Sequence, residues 1–211
     1  GMKYLECIKK ARPNNWQEIV RINLANDVFG KPFTYEYKEI GRVSPTTLRY
    51  IATALDIGDE FSLTGDEFVA EVGVGYGGQA SVINRIFGNK KYCAFDLPQV
   101  LDLSSRYIFE TNPLFRFEIG DLANQRKKFD LLISNYAFSE LAIDLQREYL
   151  EKVLLRARNG YMIMNSGRGN ATGRTLNKMD VNVLLEALPN SRIKDEIPNT
   201  GPDNYVLLWS S

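Results

Sequence analysis

The residues Phe68-Val-Ala-Glu-Val-Gly-Val-Gly-Tyr-Gly-Gly78 carry the clearest chemistry in this chain. An apolar run reaches the acid Glu71 and then turns through Gly73, Gly75, Gly77 and Gly78. Val82, Ile83, Ile86 and Phe87 follow at helical spacing. Strand, glycine turn and helix in that order suit a nucleotide cofactor. Glycine serves where φ is positive, or where a ligand comes closer than a Cβ allows. Gly73, Gly75 and Gly78 also satisfy the dinucleotide pattern G-x-G-x-x-G. The glycines alone therefore leave NAD and S-adenosylmethionine (SAM) both open.

The 211 residues contain no histidine. That removes the commonest general base and the commonest nitrogen ligand for metals. A Ser-His-Asp hydrolase and a His-ligated zinc enzyme are excluded. Acid–base work falls to carboxylate, Tyr, Lys or Cys. Cys7 and Cys93 are far apart and have no metal or redox spacing, and Cys93 reads as a buried, reduced thiol. Lys+Arg and Asp+Glu balance at 26 each, so nothing draws the chain to nucleic acid. The short run Arg126-Lys127-Lys128 reads as a solvated turn. No apolar stretch approaches the ~20 residues of a membrane span, and no signal peptide is evident. The expectation is a cytoplasmic protein without nucleic-acid or membrane partners, its oligomeric state left open.

The elements that position the glycine turn alternate. Strands are expected at Phe68–Val72, Lys91–Asp96, Phe115–Ile119, Phe129–Ser134 and Tyr161–Asn165. Helices are expected at about Pro98–Thr111, Asp144–Ala157 and Leu176–Leu188. Such alternation implies a doubly wound α/β fold with a mostly parallel sheet covered on both faces. Arg192–Glu196 and Tyr205–Trp209 are strand-like and too close for a crossover helix. They predict an antiparallel hairpin as the end of a seven-stranded sheet. Residues 2–66 read as an N-terminal helical extension on the substrate side, packed on a cofactor domain at 67–211. Its clearest helix has Ser44 as N-cap, Pro45 at the first position, Leu48, Ile51, Ala52 and Leu55 on one face, and Gly58 as its stop.

Five parallel strands closed by an antiparallel hairpin resemble the class I SAM-dependent methyltransferase fold over Phe68–Trp209. Glu-x-Gly-x-Gly-x-Gly at Glu71–Gly77 is similar to that class's first motif. Asp96 ends the second strand, as the class's ribose-binding acid does. Gly120-Asp121-Leu122 resembles its adenine-contacting motif, and Ser134-Asn135-Tyr136 sits where its substrate-facing loop begins. The resemblance implies SAM as cofactor, held by Glu71, Gly73, Gly75, Gly77, Asp96, Leu97, Asp121, Leu122 and Asn135. Backbone N–H groups of the turn would receive the methionine end, Asp96 both ribose hydroxyls and Asp121 the adenine amino group. Asp96 and Asp121 also read as plain turn or helix caps. The NAD alternative predicts a sixth parallel strand and often a second domain, and neither is read.

The methyl acceptor is less defined. Asp96-Leu-Pro98 resembles plant-type small-molecule O-methyltransferases, whose catalytic histidine this chain lacks. Ser134-Asn-Tyr-Ala-Phe-Ser-Glu-Leu141, Asn204-Tyr-Val-Leu-Leu-Trp209 and the helix with Leu48-Arg-Tyr50 are more similar to the sugar O-methyltransferase group. That implies O-methylation of a sugar or another small hydroxylated acceptor. The Asn-Pro-Pro-Tyr motif of enzymes that methylate nucleic-acid amino groups is absent. Glu140 is the first candidate for the base, with Tyr136 orienting the acceptor. Tyr136–Glu140 also reads as the capped start of a short helix. No metal site is expected, since Asp121 and Asp144 are too loosely spaced to argue one. Arg49 and Arg168 are candidates for an acidic sugar, or surface pairs. A SAM-fold binding protein without catalysis is the remaining alternative.

Overall fold

Apolar alternation along the strands builds the molecule. The computed structural model describes residues 1–165 and 178–211. The chain opens with α1 (Met2–Ala11) and α2 (Trp16–Asn23), a short 3-10 turn at Leu24–Asp27, the strands β1 (Tyr35–Tyr37) and β2 (Gly41–Val43), and α3 (Pro45–Phe61). Next come β3 (Phe68–Val72), α4 (Gly78–Phe87), β4 (Lys91–Phe95), α5 (Pro98–Thr111) and β5 (Arg116–Ile119). Then follow β6 (Phe129–Asn135), α6 (Ala137–Glu140), α7 (Ile143–Lys152), β7 (Ala157–Met164), α8 (Val181–Ala187), β8 (Arg192–Asp195) and β9 (Tyr205–Ser210).

The main sheet has seven strands in the order β5-β4-β3-β6-β7-β9-β8. β3 pairs in parallel with β4 and β6, β4 with β5, and β6 with β7. β9 runs antiparallel between β7 and β8. The expected doubly wound sheet with its closing hairpin is thus observed. Strand order reverses at β3 and β6, so their carboxyl ends flank the crevice where such sheets bind ligands.

Period-two alternation sorts side chains to the two faces. Leu131, Ile133, Tyr161 and Ile163 join α3 and α4 residues such as Leu48, Ile51, Val82 and Ile83. Leu132, Met162, Met164 and Leu207 join Leu150, Val153 and Leu184 on the other side. Leu5, Ile8, Ile19 and Val43 of the N-terminal segment are buried in the first of these clusters. Cys93 is buried, and burial pushes its thiol up to about 11. Among the described residues, no helix is long and apolar enough to cross a membrane.

Several boundaries differ from the sequence reading. Ser44 does cap α3, accepting from Thr46 N at 3.0 Å and Thr47 N at 3.4 Å. The helix nevertheless runs through Gly58 to Phe61. A Cβ at Gly58 would lie 2.3 Å from the Phe87 ring, so this glycine serves helix packing and not termination. α7 ends at Lys152, and Leu154–Arg156 form a 3-10 turn. β7 begins at Ala157, earlier than the expected Tyr161: it pairs with Phe129 of β6 from its first residue, and Gly160 takes the Trp209 ring against its backbone. A Cβ there would meet that ring at 2.1 Å. α8 begins at Val181, with Asp180 accepting from Asn182 N, and the start of the expected helix at Leu176 lies outside the described residues. The segment between α2 and α3, with Gly30, Pro32 and Gly41, contains the small antiparallel pair β1–β2.

Candidate functional site

The glycine turn starts where β3 ends. Gly73, Gly75 and Gly77 have φ of +82°, +54° and +92°, a region costly for residues with a Cβ. Gly73 N donates to Phe95 O at 2.8 Å. A Cβ on Gly73 would lie 2.0 Å from the Ala137 Cβ, so the turn presses against the start of α6. Gly75 instead faces open space, with nothing within 4 Å of where its Cβ would be.

Asp96, just past β4, is turned back onto this loop. Its Oδ2 accepts from Gly75 N at 3.0 Å and its Oδ1 from Leu97 N at 2.7 Å. The carboxylate thus ties the β3 and β4 loops together. Leu97 is 66% exposed, and Ile119, the last residue of β5, is 56% exposed. They present apolar surface on adjacent strand ends.

Asp121 is exposed and folded onto its own turn. Its Oδ1 accepts from Ala123 N at 3.1 Å and its Oδ2 from Asn124 Nδ2 at 2.7 Å. The Asn124 side-chain bond, helped by backbone N–H groups, holds this carboxyl below its usual value. Leu122 beside it is half-buried.

Glu71 lies beneath the turn and not on its open side. It is 1% exposed and accepts from the Tyr92 hydroxyl at 2.7 Å. Burial pushes its carboxyl up to about 8 despite that bond, with the Asp96 charge adding to the rise. At pH 7 it is mostly protonated.

At the carboxyl end of β6, Asn135 Nδ2 donates to Gln79 Oε1 at 3.2 Å, and Gln79 Nε2 donates to Tyr50 O at 3.1 Å. Asn135 Oδ1 is buried and has no partner among the described residues. Tyr136 follows with φ +69°, a strained position for a tyrosine. Its hydroxyl donates to the Glu196 carboxylate and lies 3.0 Å from Thr200 Oγ1. Burial, joined by the Glu196 bond, pushes the pKa of this hydroxyl well above the usual tyrosine value, so it stays protonated. Tyr136 therefore pins the β8–β9 connection to the end of β6.

Tyr136 precedes the short helix α6, as one reading of the sequence had it, but supplies no side-chain cap. Glu140 ends this helix, exposed to solvent, and its Oε1 accepts from Asn165 Nδ2 at 2.7 Å. Asp144 is 92% exposed by side chain and paired with Arg147. Among the described residues no three acidic or cysteine side chains converge on a metal position. Arg49 stands over the rings of Tyr50 and Tyr136, and Arg168 lies outside the described residues.

Sequence reading missed Glu196, Thr200 and Gln79. Glu196 is 60 residues from Tyr136, and no spacing rule connects them. Gln79 directly follows the glycines and could have been flagged as a first-turn polar residue.

No family model matches the sequence, and no curated protein matches it. Solved structures do. One is a SAM-dependent methyltransferase from Aquifex aeolicus, at 18% identity and TM-score 0.57, covering 79% of this chain and 93% of that one. The methyltransferase domain of a bacterial Hen1 protein matches at 11% identity and TM-score 0.57, covering 76% and 97%. Coclaurine N-methyltransferase, bound to N-methylheliamine and S-adenosylhomocysteine (SAH), matches at 10% identity and TM-score 0.53, covering 84% and 58%. At such identities the likeness speaks to architecture: the chain has the class I methyltransferase fold.

Proposed function

We propose that this protein is a SAM-dependent methyltransferase acting on a hydroxyl of a small acceptor, a sugar being the favoured class. The observation that carries the reading is Asp96, hydrogen-bonded to the open glycine turn at the switch point of a methyltransferase-fold sheet.

The residues present fit the cofactor. Gly75 leaves room for close approach, and Asn135 Oδ1 is an acceptor in want of a donor such as an ammonium. Asp96 keeps unused lone pairs on both oxygens for ribose hydroxyls. Leu97 and Ile119 offer apolar surface for the adenine. Asp121 would take the amino group only by sharing its turn bonds, and Glu71 acts through the turn it supports. Bound SAM supplies an electrophilic methyl group for in-line displacement.

The protein's part is to place the acceptor oxygen collinear with that methyl and to draw off its proton. Glu140 is the proposed base. Its Oε2 has no hydrogen-bond partner among the described residues, and it lies one helical turn past β6. Tyr136, fixed by Glu196, is the proposed wall that orients the acceptor. Residues 2–66 are the proposed substrate side.

Calorimetric titration with SAH and with NAD tests the cofactor. The expected result is binding of SAH alone, and selective NAD binding would overturn the proposal. Transfer of a radiolabelled methyl group to a panel of sugars and phenols then tests the chemistry. Binding of SAH with no transfer across the panel would favour a non-catalytic SAM-binding protein.

A further inference from the structure

Between the N-terminal helices and the ends of β6 and β7 lies a narrow polar cleft lined by Tyr4, Arg49, Asp56, Tyr136 and Glu196. Its volume is about 20 Å³, room for about one water, so a carboxylate or phosphate does not fit inside it and would meet Arg49 only at the mouth of the cleft. Arg49 is half-buried on α3. Its guanidinium carbon is 5.3 Å from the centre of the Tyr50 ring and 5.8 Å from that of Tyr136. Among the described residues no carboxylate lies within 4.0 Å of it.

The two acids of the same cleft are engaged elsewhere. Asp56 pairs with Lys194 at 2.9 Å and accepts from the Tyr161 hydroxyl. Glu196 accepts from the Tyr136 hydroxyl and, at 2.9 Å each, from the Thr200 N–H and hydroxyl. A guanidinium has five donors in a planar fork, suited to two-point capture of carboxylate or phosphate. The Tyr50 hydroxyl interacts with the guanidinium and the ring faces stabilise its charge, which together occupy few of those donors. Arg49 also stands at the right place. Its neighbour Tyr50 is tied through Gln79 to Asn135 on the cofactor side, while its other ring contact is Tyr136 on the acceptor side.

We propose that Arg49 is an anion subsite of the acceptor. It receives a carboxylate or phosphate carried by the molecule that is methylated, which makes an acidic sugar the substrate class. The identity of that molecule rests on the methyl-transfer reading above, whereas capture of the anion does not.

The test is calorimetric titration with D-glucuronate, glucose 6-phosphate and D-glucose, on protein alone and on protein saturated with SAH. At least one of the two anions should bind ~10-fold or more tightly than glucose, the scale of a charge-assisted bond. Arg49→Gln should abolish that preference and Arg49→Lys retain part of it, both with SAH affinity within about twofold of wild type. Equal affinity for all three sugars in wild type, or a preference that survives Arg49→Gln, would make Arg49 a ring-stacked structural residue. A fall in SAH affinity in Arg49→Gln would assign the subsite to the cofactor's own carboxylate and overturn the proposal. Failure of wild type to bind SAH removes the cofactor reading but leaves the anion comparison on the protein alone decisive.

Discussion

Replacing Asp96 by alanine should weaken the protein before any ligand is added. The carboxylate holds two backbone donors, Gly75 N at 3.0 Å and Leu97 N at 2.7 Å. A hydrogen bond to a charged group contributes about 1.5–3 kcal/mol when it is well sheltered. Asp96 is half-exposed, so solvent screening brings the pair down to roughly 2 kcal/mol. For a domain of this size each kcal/mol moves the melting temperature by about 2–4 °C, which gives a drop of ~4–8 °C. Asp96→Asn keeps one acceptor oxygen and should lose about half as much. Calorimetric melting of ligand-free protein reads both. If Asp96 also holds the ribose, SAH affinity should fall a further ~10–100-fold in the alanine variant. An unchanged melting temperature in ligand-free Asp96→Ala would refute the claim that this carboxylate builds the turn.

Glu71 makes stability depend on pH. Its carboxyl is raised from 4.5 to about 8 in the folded state. The unfolded chain ionises first, so the stability the neutral form provides is complete below pH 4.5 and is lost as pH rises toward 8. Glu71→Gln is neutral throughout. Its stability advantage in urea titrations should therefore grow between pH 5 and 8, by on the order of a few kcal/mol. An equal difference at both pH values would contradict this. Gly73→Ala should cost ~2–4 kcal/mol, from positive φ together with the clash at Ala137. Ala137→Gly should restore only the clash part, and no rescue in the double variant would show that the two do not touch. Glu140→Gln should lower kcat by about 10²–10⁴ with SAH affinity intact. Wild-type turnover in that variant would remove Glu140 from the mechanism.

The sheet was legible because its central strands β3, β4 and β6 are apolar, short and separated by clear turns, and because Arg192–Glu196 and Tyr205–Trp209 leave no room for a crossover. Positions decided by contacts across the fold were not. Gly58 looks like a helix stop until Phe87 is seen against it, and Gly160 looks like a loop residue until Trp209 is. Acid at the end of β3 was readable, but its orientation was not. Glu71 points into the core toward Tyr92, whereas Asp96 points at the turn. Tyr136 could be placed on its loop from order alone. Its fixing by Glu196 depends on a pairing between distant segments that local spacing does not encode.

The order in which the strands are made is not the order in which they lie. β9 leaves the ribosome after β8, yet it is the strand that joins β8 to the rest of the sheet. Until Tyr205–Ser210 are synthesised, β8 has no partner, and Gly160 lies uncovered without the Trp209 ring. The edge of β7 stays open for the same interval, a template for pairing with other chains. Tyr136 likewise has no Glu196 to hold until β8 has been placed. The Tyr136–Glu196 contact therefore waits on chain made well after the glycine turn. A nascent chain arrested before β9 would carry the glycine turn beside an unpaired β8 and an open β7 edge.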